Sequence, residues 1–145
     1  LSNFGDYNGA YQKVKGYVED HIKNDCEEFY NYWDQMDTTS EESELMSATI
    51  NIAHIVIAMS YSFFYLKQNY TYEDAIRSIL HKGGDTDTNA AIVGGLLGAR
   101  WGLHNIPERW VLEGVKFNNF RHHFALLEDY NELLDMVDNL LTMIQ

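Results

Sequence analysis

The chain of 145 residues is poor in cysteine and in positive charge, and each shortage argues against a class of protein. Its single cysteine, Cys26, cannot form a disulfide within the chain, so we expect the cytoplasm or another reducing compartment. Ten lysines and arginines stand against 22 acidic residues, which gives a formal net charge of -12. Such a chain repels phosphate backbones and anionic lipids, which argues against nucleic-acid and membrane-surface partners.

The sequence also lacks a basic-apolar N-terminal signal and an uncharged apolar run long enough to span a membrane. Its most apolar stretch, residues 50–66, is interrupted by polar side chains and predicts a buried helix. The chain begins with Leu1 rather than methionine, which predicts a processed product or a piece of a longer protein.

A single proline, Pro107, and the rarity of two-residue alternation favour helices over strands. Because 46% of the residues are hydrophobic, the chain can bury a core, and we expect an all-α, compact helical bundle. Residues 1–145 are expected to form one domain, or a C-terminal half-domain, without an internal boundary. The predicted helices cover residues 11–36, 44–69, 72–81, 88–101, 107–117 and 125–145.

Three local features refine this prediction. Thr71 is expected to cap the helix over residues 72–81. The acidic run DTTSEESE, residues 37–44, is expected to form a solvated connection or a helix start. Three glycines in the helix over residues 88–101 each cost roughly 1 kcal/mol relative to alanine, so they predict close backbone approach.

Two of these helices are joined by the sequence GGDTDT, residues 83–88, named here the GGDTDT segment. Asp85 and Asp87 are separated by one residue, so an extended backbone would turn both carboxylates to the same side, with the Thr88 hydroxyl next to them. Oxygen ligands of this kind suit magnesium, calcium or manganese, and the cluster has no cysteine or histidine to suggest zinc. The pattern therefore predicts a site for a hard metal ion.

A second interpretation of the GGDTDT segment stays open. Gly83 and Gly84 permit backbone dihedrals that other residues resist, and this would let the carboxylates turn inward. Equally, one aspartate can cap the following helix while Thr86 and Thr88 fill the turn.

The longer string TYEDAIRSILHKGGDTDTNAAIVGGLLGARWGLHNIPERW, residues 71–110, resembles the C-terminal signature of the ADP-ribosylglycohydrolase family. The resemblance implies an all-α fold with two divalent metal ions, usually Mg²⁺ and with Mn²⁺ as an alternative. It also implies hydrolysis of the bond that joins ADP-ribose to a protein side chain or related acceptor. The family's metal-loop positions fall on Asp85, Asp87 and Thr88 as ligands, with Gly83, Gly84 and Thr86 as supporting residues.

One family feature is missing. The family's other metal ligands lie in a Thr-Asp-Asp cluster of its N-terminal half, together with the acid that acts in the chemistry, and no Thr-Asp-Asp sequence occurs here. The chain therefore resembles the C-terminal half of a hydrolase and would supply half of a binuclear magnesium site. No catalytic or substrate-binding residue is assigned. The expected partners are an ADP-ribosylated protein or ADP-ribose derivative, and either an N-terminal half or a second copy of the chain.

Two alternative functions remain beside the hydrolase. A family member without catalysis would be a binding or structural protein, as in an eye-lens crystallin with this fold. An acidic helical interaction domain, in which the aspartates only cap a helix, would need no ligand at all. The substitution Asp87→Asn separates these possibilities, because it should abolish metal-dependent turnover but be tolerated by a cap.

The remaining histidines and aromatic residues are given ordinary structural roles. His54 is interpreted as a satisfied core residue, and His81 as a cap for the carbonyl groups at the end of its helix. A surface pair is expected at His122 and His123, and core positions rather than an adenine platform at Trp101, Trp110, Phe117 and Phe120.

Overall fold

The structure, a computed structural model, describes residues 6–50, 54–116 and 130–143. These residues form helices and contain no strand, so the all-α prediction is confirmed. The α-helices are α1 (Tyr7–Tyr17), α2 (Glu27–Thr38), α3 (Ile55–Lys67), α4 (Tyr72–His81), α5 (Thr86–Trp101), α6 (Glu108–Lys116) and α7 (Tyr130–Met143). A π-helical turn covers Val18–Ile22, and 3-10 turns cover Glu42–Glu44 and Leu103–Asn105.

The chain divides into two units, residues 1–105 and residues 106–145. The second unit contains α6, which begins directly after Pro107 as predicted, and α7, which lies within the helix predicted over residues 125–145. Every helix among the described residues is too short or too polar to cross a membrane. The single domain expected from the sequence stays a prediction.

The core of the first unit is centred on α3, which packs against α2 and α5, while α5 also packs against α4. Full burial of a large apolar side chain stabilises a fold by roughly 1.5–3 kcal/mol, so contacts among such residues fix the helices that carry the candidate site. The completely buried large side chains in this core include Met36, Phe64, Tyr65, Ile79, Val93 and Leu97.

Helix α4 has the bounds predicted for it, residues 72–81. Thr71 caps it, because its hydroxyl accepts a hydrogen bond from the Asp74 amide over 3.1 Å. At the other end the His81 Nδ1 lies 2.6 Å from the carbonyl oxygen of Arg77, one turn back in the helix rather than at the terminal carbonyl groups predicted for it.

The glycines of α5 differ in their surroundings. A Cβ atom on Gly94 would lie 3.1 Å from the Tyr72 hydroxyl and 3.3 Å from the Ile76 Cδ1 atom, so this position requires a small residue. A Cβ on Gly98 would make ordinary contact with Tyr72, and one on Gly95 would meet open space. The prediction of close approach therefore holds for Gly94 and is wrong for Gly95.

The single helix predicted over residues 11–36 is wrong. The chain forms α1 and the π-helical turn, then a turn at residues 23–25, then α2. The amides of Asp25 and Cys26 both donate to the Ile22 carbonyl oxygen, over 3.1 and 2.9 Å, and this closes the first helical run. Asn24 and Asp25 favour such a turn because their side chains compete with the helical hydrogen bonds.

The helix predicted over residues 44–69 is also too long, since α3 begins only at Ile55. Residues 45–50 form a bend and turn instead. Their position is fixed by side chains elsewhere in the fold: the Tyr61 hydroxyl donates to the Met46 carbonyl oxygen over 3.1 Å, and Ala48 is buried. These tertiary contacts outweigh the local helical pattern.

The sequence predicts that the acids of residues 37–44 are solvated. This prediction is wrong for Asp37 and Glu42, whose carboxylates are bonded to other side chains of the fold. Asp37 accepts hydrogen bonds from the Tyr11 hydroxyl over 2.6 Å and from the Lys15 Nζ over 2.7 Å. Burial raises the pKa of Asp37, but the bonds from Lys15 and Tyr11 outweigh it and hold that pKa below its usual value. The side chain therefore anchors α1 to the end of α2.

Candidate metal site

The GGDTDT segment joins α4 to α5, and two glycines determine its path. Gly83 and Gly84 have φ angles of +74° and +71°, in the left-handed region that favours glycine. A Cβ atom on Gly84 would lie 2.1 Å from the Ala48 carbonyl oxygen, and one on Gly83 would lie 3.2 Å from the Thr49 Cγ2 atom. The segment is thus pressed against the turn at residues 45–50, and Gly84 cannot carry a side chain.

Helix α5 begins at Thr86 rather than near Thr88, so the prediction placed its start too late. Asp85 is the N-cap residue, with φ −82° and ψ 76°, but its carboxylate accepts no capping hydrogen bond from the helix amides. The backbone between the two aspartates is helical at Thr86, and the extended path expected there is wrong.

Asp85 and Asp87 nevertheless lie next to each other at the start of α5, as its N-cap residue and a first-turn residue. A hydrogen bond from the Asp85 carboxyl lowers the pKa of Asp87, and the amides of Thr88 and of Asp87 itself lower it further. Asp87 and Thr88 are exposed, while Asp85 and Thr86 are partly buried. The sequence-predicted residues therefore come together at the first turn of α5, open to solvent on one side.

No positive side chain among the described residues neutralises this pair. The ion pairs found in residues 6–50, 54–116 and 130–143 use other carboxylates, on Glu28, Asp37, Glu42, Glu73 and Glu113. Two carboxyl groups in contact without a counter-charge repel each other when both are ionised. Carboxylate oxygens are the ligands that hard cations such as magnesium or manganese prefer.

Comparison with known proteins connects this geometry to a family. The profile of the family described as ADP-ribosylglycohydrolase matches residues 3–145. The chain belongs to the ADP-ribosylglycohydrolase family. No solved structure gives a significant match to it.

Three curated relatives are similar to this family member. A protein of Acanthamoeba polyphaga mimivirus with the provisional name ADP-ribosyl glycohydrolase is 34% identical over 82 residues, which are 57% of this chain and 24% of that protein. An uncharacterised protein of Archaeoglobus fulgidus is 35% identical over 82 residues, 57% of this chain and 25% of its own length. The ADP-ribosyl-[dinitrogen reductase] glycohydrolase of Rhodospirillum rubrum is 34% identical over 59 residues, 41% of this chain and 20% of that enzyme. The matches thus span a quarter or less of each relative.

The acidic cluster of the GGDTDT segment is small. The described part of the chain brings together no group of three histidine, cysteine, aspartate or glutamate side chains that could hold a metal ion. Asp85, Asp87 and the Thr88 hydroxyl therefore offer ligands from one side only. Magnesium prefers six oxygen ligands in near-octahedral geometry, so the remaining positions would need water or other protein groups.

The sequence analysis missed one acid, Glu42, whose carboxylate contacts Lys82 at the start of the GGDTDT segment. Glu42 accepts hydrogen bonds from the hydroxyls of Tyr65 and Ser78, and its Oε2 lies 3.2 Å from the Lys82 Nζ. Burial raises the pKa of Glu42, but the bonds from Ser78, Tyr65 and Lys82 outweigh it and hold that pKa below its usual value. Because Glu42 lies in an acidic run, its sequence context alone suggests a solvated residue.

The other residues singled out in the sequence lie at other positions of the fold or outside the described residues. The prediction of a satisfied core residue at His54 is wrong, because the residue precedes α3, its side chain is 33% exposed and its buried Nδ1 has no hydrogen-bond partner among the described residues. Trp101 donates its Nε1–H to the Tyr70 carbonyl oxygen over 2.9 Å, as fits a structural role. Phe117, Phe120, His122 and His123 lie outside the described residues.

Proposed function

We propose that Asp85, Asp87 and Thr88 supply one side of a binuclear magnesium site in an enzyme that hydrolyses the N- or O-glycosidic bond between ADP-ribose and an acceptor. The observation that carries the proposal is that Asp85, Asp87 and Thr88 lie together at the first turn of α5, while the ion pairs of the described residues use other carboxylates. A helix cap would not require it, because the Asp85 carboxylate makes no capping bond.

The residues of this chain would act by binding and orientation. The carboxylates of Asp85 and Asp87 and the hydroxyl of Thr88 would hold divalent ions, which supply Lewis acidity and orient the ribose hydroxyls. Gly83 and Gly84 keep the two carboxylates in place, because the backbone here lies in the left-handed region and against Ala48. A preorganised arrangement of this kind avoids reorganisation during the reaction.

A general acid-base carboxylate is also needed, because glycosyl transfer passes through an oxocarbenium-like state. No described residue takes that role. Glu42 contacts Lys82 beside the GGDTDT segment, but its carboxylate is already bonded to Tyr65, Ser78 and Lys82. The catalytic acid and the remaining metal ligands would come from a partner segment, either the rest of a longer protein or a second copy of the chain.

The substrate class follows from the family. The Rhodospirillum relative is named for an ADP-ribosylated protein, dinitrogen reductase. For this chain we propose an ADP-ribosylated protein or another ADP-ribose derivative, with the acceptor undefined. Manganese would substitute for magnesium, because both are hard ions that take oxygen ligands.

The test is a Mn²⁺ titration of the 145-residue chain, followed by electron paramagnetic resonance and extended to millimolar metal so that weak binding is detected. Calorimetric titration with ADP-ribose and Mg²⁺ on the same samples measures ligand binding. The variants are Asp85→Asn and Asp87→Asn, with Asp20→Asn as the control, since Asp20 is an exposed acid of the first unit.

Metal binding that is lost in Asp85→Asn and Asp87→Asn but kept in Asp20→Asn is the expected result. Equal binding by all four proteins would show that the metal is attracted only by the net charge of −12, and the proposed site would be wrong. Binding of ADP-ribose without any need for metal would instead favour the second function, a binding or structural member of the family.

A further inference from the structure

The side-chain cluster behind the GGDTDT segment is centred on one carboxylate, that of Glu42. Its Oε1 accepts hydrogen bonds from the Tyr65 hydroxyl on α3 and from the Ser78 hydroxyl on α4, the latter over 2.6 Å. Its Oε2 lies 3.2 Å from the Nζ of Lys82, and the Glu42 side chain is only 20% exposed. One carboxylate therefore joins the 3-10 turn Glu42–Glu44 to two helices and to the residue that follows α4.

Lys82 makes this cluster relevant to the GGDTDT segment, because it is directly bonded to Gly83. Its amide donates to the Ile79 carbonyl oxygen over 3.1 Å and so ends α4. Its ammonium group is held by Glu42 and lies 5.9 Å from the centre of the Tyr61 ring. The chain thus enters the GGDTDT segment from a lysine whose backbone and side chain are both held.

A second set of contacts holds the other side of the same segment. The Tyr61 hydroxyl donates to the Met46 carbonyl oxygen over 3.1 Å, and the carbonyl of Ala48 fills the space where Gly84 would carry a Cβ atom. Residues 42–49 are therefore held at Glu42 by α3 and α4 and at Met46 by Tyr61, and Ala48 and Thr49 contact the glycines of the segment. Glycine residues alone would leave the segment many conformations, so these contacts select one of them.

We propose that Glu42 is a positioning residue for the metal-binding segment: through Lys82 it fixes the point at which the chain enters residues 83–88, and so the placement of Asp85 and Asp87. The proposal rests on the proposed function in naming metal as the ligand of these carboxylates. Glu42 acts through Lys82 and touches neither aspartate. Removal of a group that positions a metal ligand without contacting the metal typically lowers metal affinity by about 10- to 100-fold.

The test compares two glutamates of the same 3-10 turn, Glu42 and Glu44. Glu42→Gln keeps the shape but removes the charge, and it turns an amide toward the Lys82 ammonium group. Glu44→Gln makes the same change of charge, but the Glu44 carboxylate bonds Thr39 rather than α4. Native-state hydrogen exchange follows the amides of Lys82 and Asn89, which are hydrogen-bonded on either side of the segment, with the Leu97 amide in the middle of α5 as reference.

Glu42→Gln should speed exchange at Lys82 and Asn89 by about tenfold and at Leu97 by less than about twofold, while Glu44→Gln leaves all three nearly unchanged. Equal acceleration at all three amides, or none at Lys82 and Asn89, would overturn the positioning role. If Glu42→Gln does not fold, Lys82→Met removes the same ion pair and should give the same local pattern. In the double variant the two effects should add only in part, because both changes remove the ion pair between Glu42 and Lys82, while only Glu42→Gln alters the bonds from Tyr65 and Ser78.

A Mn²⁺ titration by electron paramagnetic resonance separates this proposal from the proposed function. In the unchanged chain, absence of Mn²⁺ binding would refute the metal site, while the exchange pattern would still decide whether Glu42 fixes the segment. If the unchanged chain binds Mn²⁺, Glu42→Gln should raise the dissociation constant by about tenfold and Glu44→Gln should not. Equal dissociation constants in all three proteins would refute the role of Glu42 in metal binding.

Discussion

The first unit contains acidic side chains in two opposite situations. Glu42 is largely buried and has two hydroxyl donors and an ammonium group for its carboxylate. Asp85 and Asp87 lie at the first turn of α5 with each other's carboxyl groups as neighbours and no ion pair among the described residues. The difference indicates their uses, because a carboxylate with a complete set of donors holds the fold and one without them is available to a ligand.

The two kinds of acidic side chain also differ in what they contribute to the stability of the fold. A partly buried carboxylate stabilises the fold only if its hydrogen bonds and ion pairs offset the loss of water. The exposed carboxylate of Asp87 has weaker support: its pKa is lowered only by the neighbouring Asp85 carboxyl and by the amides of Thr88 and of Asp87 itself, in contact with solvent. The Asp85 and Asp87 arrangement is therefore held by other parts of the structure, above all the glycines and the turn at residues 45–50.

The largest loss of stability is expected for a substitution at Gly84, where the GGDTDT segment contacts the turn at residues 45–50. Gly84→Ala would place a Cβ atom 2.1 Å from the Ala48 carbonyl oxygen in a residue with a φ of +71°. We expect the free energy of unfolding to fall by about 3 kcal/mol, through steric conflict and backbone strain. Urea unfolding followed by circular dichroism measures the change.

Gly95→Ala is the matched control for that substitution. A Cβ on Gly95 meets open space inside α5, so alanine should stabilise the chain by about 0.5–1 kcal/mol through its helix propensity. If both substitutions changed stability by the same amount, the close contact between the GGDTDT segment and Ala48 would be wrong.

A smaller effect is expected when Glu42 loses one donor. Tyr65→Phe removes the hydroxyl that bonds the Glu42 carboxylate and leaves the buried ring in place. We expect a loss of about 1–2 kcal/mol in the free energy of unfolding, because the partly buried acceptor is left without that bond. Tyr17→Phe is the control, since Tyr17 is 59% exposed and should change stability by less than about 0.5 kcal/mol. Equal losses of stability in Tyr65→Phe and Tyr17→Phe would mean that the hydrogen bond from Tyr65 to Glu42 does not stabilise the fold.

Acid titration distinguishes the anchoring carboxylates by their pKa values. Asp37 and Glu42 have folded pKa values below their ordinary values of 3.8 and 4.5, so they stabilise the fold above those ordinary values. That contribution is lost as the pH falls through the lower, folded pKa values. Asp37→Asn should therefore reduce stability by about 1 kcal/mol at pH 7 and by much less once the carboxyl is protonated. Urea unfolding midpoints measured from neutral to strongly acidic pH test this, and a constant difference at every pH would contradict it.

The sequence predicted the position of Asp85 and Asp87 much better than that of the anchoring acids Asp37 and Glu42. Helix α4, its Thr71 cap, the glycines and the cluster of Asp85, Asp87 and Thr88 are all local features, determined by neighbouring residues in the chain. The first residue of α5 and the backbone between the aspartates were predicted wrongly, because Thr86 already joins the helix. Cap positions and helix starts differ by one or two residues with little local signal.

The anchoring acids could not be predicted from local pattern because their partners are distant in sequence. Glu42 meets Ser78 and Lys82, and Asp37 meets Tyr11 and Lys15. Such pairings depend on how α1, α3 and α4 pack around the acidic run. The same long-range contacts explain why residues 45–50 are not helical, since Tyr61 and Gly84 hold them in a turn.

The smallest effect on stability, and the sharpest contrast, is expected for Asp87→Asn. Asp87 is exposed, and its carboxyl group contacts that of Asp85 with no positive partner among the described residues. Without metal, the melting temperature should change little, because Asp87 is exposed and the donors that lower its pKa act in contact with solvent. With magnesium, the unchanged chain should gain stability in proportion to the logarithm of metal concentration above its dissociation constant, and the variant should not. Differential scanning calorimetry with and without Mg²⁺ measures both, with Asp20→Asn as the control. A fall in the metal-free melting temperature of Asp87→Asn would place this carboxylate with Glu42 among the anchors, and the distinction between the two kinds of acid would fail.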